Sequence, residues 1–202
     1  MDSQPVIKTT DGITICGMKG TGKSTWIREI AQNNQRFKQR VIVFDPQDEY
    51  RDQFETVLPE SDDPEELDEM ADYVFRQGNI LLIVSEAEQF LPEGRPLPPH
   101  VFKLINRGRH RNSAIWADTR RIANLNKSVF NLSEHVIIFR HFGVTDINTL
   151  NKFVPDASLL RTVPDYHFIY YHRGKSTLYP PLRVTEKRDS RQVRPPVKID
   201  RK

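Results

Sequence analysis

The sequence predicts an α/β fold: three layers, with a mostly parallel central sheet between helices and a C-terminal β-hairpin. Three observations carry this. Five short apolar, β-branched runs alternate with helix-like segments, the order of a parallel sheet with crossover helices. A glycine-rich turn, "ICGMKGTGKSTW" (Ile15 to Trp26), sits between the first run and the first helix. Near the end, "YHFIYYHRGKSTLYPPLRV" reads as two strands around a turn at Gly174.

The strands are expected at Ile13 to Cys16, Arg40 to Phe44, Ile80 to Val84, Ala114 to Ala117 and His135 to Arg140. Between them, helices are expected at Lys23 to Asn33, Pro64 to Gln77, Val101 to Arg107, near Ile122 to Val129, and at Asp146 to Phe153. The stretch Phe54 to Asp63 is polar and acidic, and Leu91 to His100 holds four prolines. Both read as exposed connections able to face a partner.

The 202 residues suffice for one medium domain with its own core, expected over residues 1–184. Of the net charge of +3, the last eighteen residues, 185–202, hold seven Lys/Arg against three Asp/Glu, leaving the remainder at −1. That tail, with two prolines and no apolar period, reads as extended or disordered. It is either a solvated end or an arm for a polyanion or a neighbouring subunit.

The lone cysteine, Cys16, lies in an apolar run and is expected to pack as a small hydrophobe, which suits a reducing compartment. The polar N-terminus is unlike a signal peptide, and the longest apolar run, Ile80 to Val84, is too short to span a bilayer. A soluble intracellular protein is expected. The six histidines show no metal-ligand spacing, and Trp26 and Trp116 read as core residues.

Gly17, Gly22, Lys23 and Ser24 match G-x-x-x-x-G-K-[ST] in the required strand–turn–helix context. Glycines let the backbone turn its N–H groups inward, the helix presents a positive N-terminus, and Lys23 reaches the β- and γ-phosphates. Ser24 offers its hydroxyl to Mg²⁺. The whole turn, Gly17, Met18, Lys19, Gly20, Thr21, Gly22, Lys23, Ser24 and Thr25, is therefore the expected nucleotide cradle, with ATP and Mg²⁺ as its ligands.

Hydrolysis also needs an oriented water and a polar group near the γ-phosphate, usually from the C-terminal ends of neighbouring strands. "ILLIVSEAEQFLP" puts Ser85 and Glu86 there. Glu86 is the candidate to polarise the water, or else a helix-starting surface acid. "AIWADTRRIANL" puts Asp118, Thr119 and Arg120 at the same edge, as γ-phosphate sensors or as a capped turn.

Together these stretches resemble the HerA/FtsK superfamily of ring-forming ATPases that move DNA, whose fold is RecA-like and of the ASCE P-loop type. Within it they are similar to the small genome-packaging ATPases of membrane-containing icosahedral viruses. "VIVFDPQDEY", "LLIVSEAEQF", "LINRGRHRNSAIWADTRRIANL" and "NLSEHVIIFRHFGVTDINTL" follow the phosphate loop in the family's order, covering about residues 12 to 152. The resemblance implies a homo-oligomeric ring, pentamer or hexamer, in which an arginine of one subunit completes the site of the next. Arg109 occupies the matching position, with Arg111 close behind and Arg140 as a second candidate.

Two residues depart from the pattern. Ser85 stands where the family has an acid, leaving the metal to Ser24 and water, with Asp45 or Asp118 in the outer shell. Arg120 replaces the usual glutamine and would read the γ-phosphate by charge.

The expected function is a Mg²⁺-dependent ATPase that drives double-stranded DNA, without sequence preference, into a preformed viral capsid. Its partners would be capsid or vertex proteins, and its place the host cytoplasm or the virion. The alternatives are a conjugative or phage-secretion ATPase of the zonula-occludens-toxin type, or a non-hydrolysing nucleotide-binding assembly protein.

Overall fold

Apolar strands that carry no charged side chain over four or five residues can be buried on both faces only if helices cover both. The structure, a computed structural model, describes residues 7–152, 154 and 157–182 and has this architecture. The basic tail lies outside the described residues.

The strands are β1 (Ile13–Cys16), β2 (Arg40–Phe44), β3 (Glu55–Val57), β4 (Ile80–Val84), β5 (Ala114–Thr119), β6 (His135–Ile138), β7 (Phe168–His172) and β8 (Lys175–Tyr179). The helices are α1 (Lys23–Arg36), α2 (Pro64–Gln77), α3 (Ala87–Phe90), α4 (Pro99–Arg107), α5 (Lys127–Leu132) and α6 (Val144–Leu150). One sheet orders the strands β3-β2-β4-β5-β1-β6-β7-β8. The six from β3 to β6 run parallel. The β7–β8 hairpin is antiparallel and joins β6 in the same sense, as expected from the Gly174 turn.

Alternate residues of each strand feed two cores. On one face Trp26, Ile27 and Ala31 of α1 pack with Trp116, Phe139 and Phe168. On the other, Leu67, Met70 and Val74 of α2 meet Val101 and Leu104 of α4 over Leu82 and Val84. Trp26 and Trp116 are buried with ring centroids 6.0 Å apart, and the Trp116 indole donates to the Asp11 carbonyl at 3.0 Å. Burying such a side chain contributes about 1.5–3 kcal/mol. Both tryptophans are core residues, as expected.

Some boundaries differ from the sequence reading. Phe54 to Asp63 is not wholly an exposed connection. Phe54 is buried and Glu55–Val57 forms edge strand β3 beside β2, a run of three that is too short to show a period. The segment expected as one helix near Ile122 to Val129 is broken into a 3₁₀ turn, Ile122–Asn124, and α5. Asn126 starts the latter by accepting from Ser128 N at 2.8 Å. Strand β6 stops at Ile138, and α6 begins at Val144. Leu91 and His100, within the proline-rich connection, are also tied down. Leu91 is buried, and Asp68 of α2 accepts from His100 N at 2.7 Å and Val101 N at 3.1 Å, capping α4 from outside.

Cys16 is buried, and burial pushes its thiol pKa far up, so it is an unreactive core residue. No helix among the described residues is long and apolar enough to cross a membrane.

His141 is fully buried, and neither ring nitrogen has a hydrogen-bond partner. Burial depresses its pKa to about 4 from the ordinary 6.5. The unfolded chain therefore binds this proton first as pH falls, and stability is lost between about 6.5 and about 4. The loss amounts to roughly 3 kcal/mol. We expect urea midpoints of a His141→Leu variant to fall less over that window than those of the wild type; parallel declines would contradict the assignment.

Candidate functional site

The site begins where β1 ends. Gly17 N donates to Thr119 O at 3.2 Å and Met18 N to Arg140 O at 3.2 Å, so the turn hangs between continuations of β5 and β6. Thr21 Oγ1 closes it onto Met18 O at 2.7 Å. Gly17 and Gly22 have φ of 155° and 114°. A Cβ on Gly17 would lie 2.5 Å from Phe139 Cβ, and one on Gly22 2.9 Å from the Tyr166 ring. Both positions require glycine by conformation and by space.

Two fourteen-residue helices show what this turn does. The start of α2 is satisfied chemically: Asp63 accepts from Glu65 N at 3.0 Å, Pro64 stands in the first turn, and Glu65 and Glu66 supply negative charge. Helix α1 begins at Gly22 with no side-chain cap and no acid in its first turn. Its N–H groups and positive end point to an anion that the chain itself does not supply.

An open depression of about 250 Å³ lies in front of that helix, lined by Lys19, Gly20, Gly22, Lys23, Ser24, Thr25, Glu49, Glu86, Asp118, Arg120 and Tyr166. Lys23 is buried, with Nζ 3.9 Å from Asp118 Oδ1. Glu86 follows β4 in a left-handed conformation, φ 51°, which costs a non-glycine residue roughly 1 kcal/mol or more. The bend lets it precede α3 while its carboxylate, almost entirely buried, pairs with Arg120. Burial raises the Glu86 pKa, Arg120 opposes that, and Glu88 adds to it. Burial also pushes Asp118 up to about 7 against the pull of Lys23, with Glu86 adding to the rise.

The remaining candidates divide clearly. Thr119 is buried, its hydroxyl accepting from Arg121 N at 3.1 Å, and it does not line the depression. Asp45 is buried too, but its oxygens take Gln47 N at 3.2 Å and Tyr50 N at 3.0 Å, so it shapes the turn after β2. Ser85 is buried, its N–H on Phe44 O at 2.9 Å, and it also stands outside the lining.

The arginines sit apart. Arg109 and Arg111 precede β5, at the edge of the sheet opposite the phosphate loop. Arg111 binds Phe75 O at 3.1 Å and Arg76 O at 2.7 Å, closing the end of α2. Arg109 is exposed beside a second depression, of about 240 Å³, lined by polar and apolar residues together. Arg140 is held in its own chain by Asp165 and lies over the Phe142 ring at 5.3 Å.

Three site residues had no assigned role from sequence. Ser24 Oγ donates to Glu49 Oε2 at 3.4 Å. Glu88 accepts from Arg120 N at 3.0 Å and Arg121 N at 3.2 Å, fixing the turn after β5. Tyr166 reaches the loop from 145 residues downstream, its N–H on Thr21 O at 2.8 Å, a contact with no local signal.

The lining supplies hydroxyl and carboxylate oxygens and neither His nor Cys, a donor set that suits Mg²⁺. Among the described residues no group of three or more His, Cys, Asp or Glu is placed to hold a metal alone. Phosphate oxygens would complete such a shell.

A family model described as the type IV secretion-system coupling protein DNA-binding domain matches residues 3–71. The structure superposes on the genome packaging NTPase B204 of Sulfolobus turreted icosahedral virus 2, in complex with ATP-gammaS. The TM-score is 0.78 at 18% identity, over 87% of this chain and all of that one. The likeness is one of fold.

Other likenesses agree with this fold. The pCW3 conjugation coupling protein TcpA gives a TM-score of 0.67 at 11% identity, over 84% of this chain and 59% of that one. The N-terminal domain of zonular occludens toxin from Neisseria meningitidis gives 0.56 at 15% identity, over 85% and 94%. At these identities the shared property is the P-loop fold. No curated protein matches the chain in sequence.

Because Gly17 combines a glycine-only φ with contact to Phe139, Gly17→Ala is expected to cost about 2 kcal/mol or more. Gly20, with φ 80° and open space around it, should cost only about 1 kcal/mol as Gly20→Ala. Chemical denaturation of both checks the order; equal losses would mean that the Phe139 contact is irrelevant.

Proposed function

We propose that the chain is an ATPase whose ring, a pentamer or hexamer, moves double-stranded DNA, with loading of a viral genome into a preformed capsid as its task. One observation carries the proposal: the uncapped start of α1, Lys23, and buried Glu86 with its partner Arg120 converge on a single depression. The likeness to a genome packaging NTPase supports the viral task. The family match over residues 3–71 and the likeness to TcpA support a second reading, a conjugative coupling ATPase. Both are DNA transport.

The N–H groups of the Gly17–Thr25 turn and the start of α1 hold the triphosphate, and Lys23 neutralises the β- and γ-phosphates. Ser24 would hold a Mg²⁺ ion bound with the nucleotide, and the ion would offset charge on the phosphate oxygens. Glu86 orients the attacking water and takes its proton as the oxygen bonds to the γ-phosphorus and the bond to the ADP oxygen breaks. Its raised pKa makes it a better base than an exposed glutamate, and Arg120 holds it ionised while reading the γ-phosphate by charge.

Arg109 is too far along the sheet to serve its own loop and is assigned to a neighbour's. DNA is gripped mainly through phosphates, since a motor must disregard sequence.

Lys23→Ala is expected to abolish ATP binding by calorimetric titration, and retained affinity would refute the cradle. Glu86→Gln should bind ATP but reduce turnover, measured with and without DNA, by about a hundredfold or more. Mixing Arg109→Ala with Glu86→Gln protein should restore part of the activity in mixed rings. Mixtures as inactive as either variant alone would move the arginine elsewhere.

A further inference from the structure

The departure at Ser85 has a counterpart one strand away. Strands β4 and β5 run side by side with Val84 abreast of Ala117, so the next residues, Ser85 and Asp118, lie level at the edge of the sheet. They also share a face. Ile83 and Trp116, each two residues earlier, both pack in the core under α1, and strand side chains alternate with a period of two. Asp118 pairs in register with Ile15 of β1, the strand that leads into the phosphate loop. Strand β5 lies between β4 and β1, so Asp118 is one strand spacing, about 4.8 Å, nearer the loop than Ser85.

The side-chain surroundings separate the three acidic or hydroxyl candidates. Both Asp45 oxygens accept backbone N–H groups, and Ser85 does not line the depression. Asp118 does line it, together with Ser24. It is 5% exposed, and its Oδ1 accepts no hydrogen bond while facing Lys23 Nζ at 3.9 Å. A buried carboxylate oxygen is rarely left without a donor or a cation unless something else occupies the site in use.

We propose that Asp118 is the metal-facing carboxylate of this chain, moved from the end of β4 to the end of β5. Ser24 and Asp118 then hold Mg²⁺ from two sides of the loop, directly or through bound water. Ser85 carries no metal-holding duty. The assignment rests on the nucleotide site proposed above, and it accounts for how a chain lacking the usual acid could retain a metal-dependent site.

Mn²⁺ binding in the presence of saturating ADP, followed by paramagnetic resonance, tests this without any turnover. The full chain is used, with ADP affinity in chelator measured alongside. Asp118→Asn is expected to weaken Mn²⁺ binding about tenfold or more while ADP affinity in chelator is kept or increased. Asp118→Ser should repeat the loss with a smaller side chain, and Ser85→Ala should leave Mn²⁺ affinity unchanged.

Unchanged Mn²⁺ affinity in both Asp118 variants, or loss in Ser85→Ala alone, would overturn the assignment. Failure of the wild type to bind ADP in either condition would overturn the nucleotide site itself and this assignment with it. The chelator measurement distinguishes the two failures.

Discussion

The phosphate loop depends on being suspended between two carbonyls of neighbouring strands. Gly17 N is bonded to Thr119 O on one side and Met18 N to Arg140 O on the other. This arrangement exists only because β1 is central, between β5 and β6. Strand order thus decides which residues line the depression. The end of β5 delivers Asp118 and Arg120, and the turn after β4 delivers Glu86 by way of a left-handed backbone. Beyond β6, Arg140 grips Asp165, and Tyr166 beside it closes onto Thr21.

Charge in the depression is balanced in a particular way. Lys23 stands beside Asp118, and Arg120 pairs with Glu86. A triphosphate would enter as a competing partner for both cations. The acids would then face a metal or a water instead of a side chain. Lys23 and Arg120 are thus held near the acids that a bound phosphate would draw them from.

Much of this was legible in the sequence for physical reasons. The strands β1, β2 and β4 are short apolar runs bounded by glycine, polar or charged residues, and the Gly17–Thr25 turn is fixed by glycines that only one geometry explains. Their place at the C-terminal ends of apolar strands pointed to the edge residues Glu86, Asp118 and Arg120. What could not be read was contact across sequence distance. Strand β3 is three residues long, and the cap of α4 comes from Asp68 on another helix. Tyr166 meets Thr21 through the backbone alone. The separation of Asp45 from Asp118 needed coordinates too, because both are aspartates at strand ends and differ only in which N–H groups surround them.

The edge of the sheet remote from the loop is bound together by polar side chains. Gln39, buried, donates to Thr9 O and Asn112 O and accepts from Asn34. Asn112 reaches Asn79, Asn79 N binds Arg111 O, and Arg111 in turn holds the end of α2. Mechanically the domain is a plate braced along both rims, because at the other one Glu88 holds the N–H groups of Arg120 and Arg121, and Thr119 O and Arg140 O hold the glycine-rich turn. The sheet between them therefore keeps Arg109 and the turns that carry Glu86 and Arg120 at a fixed separation.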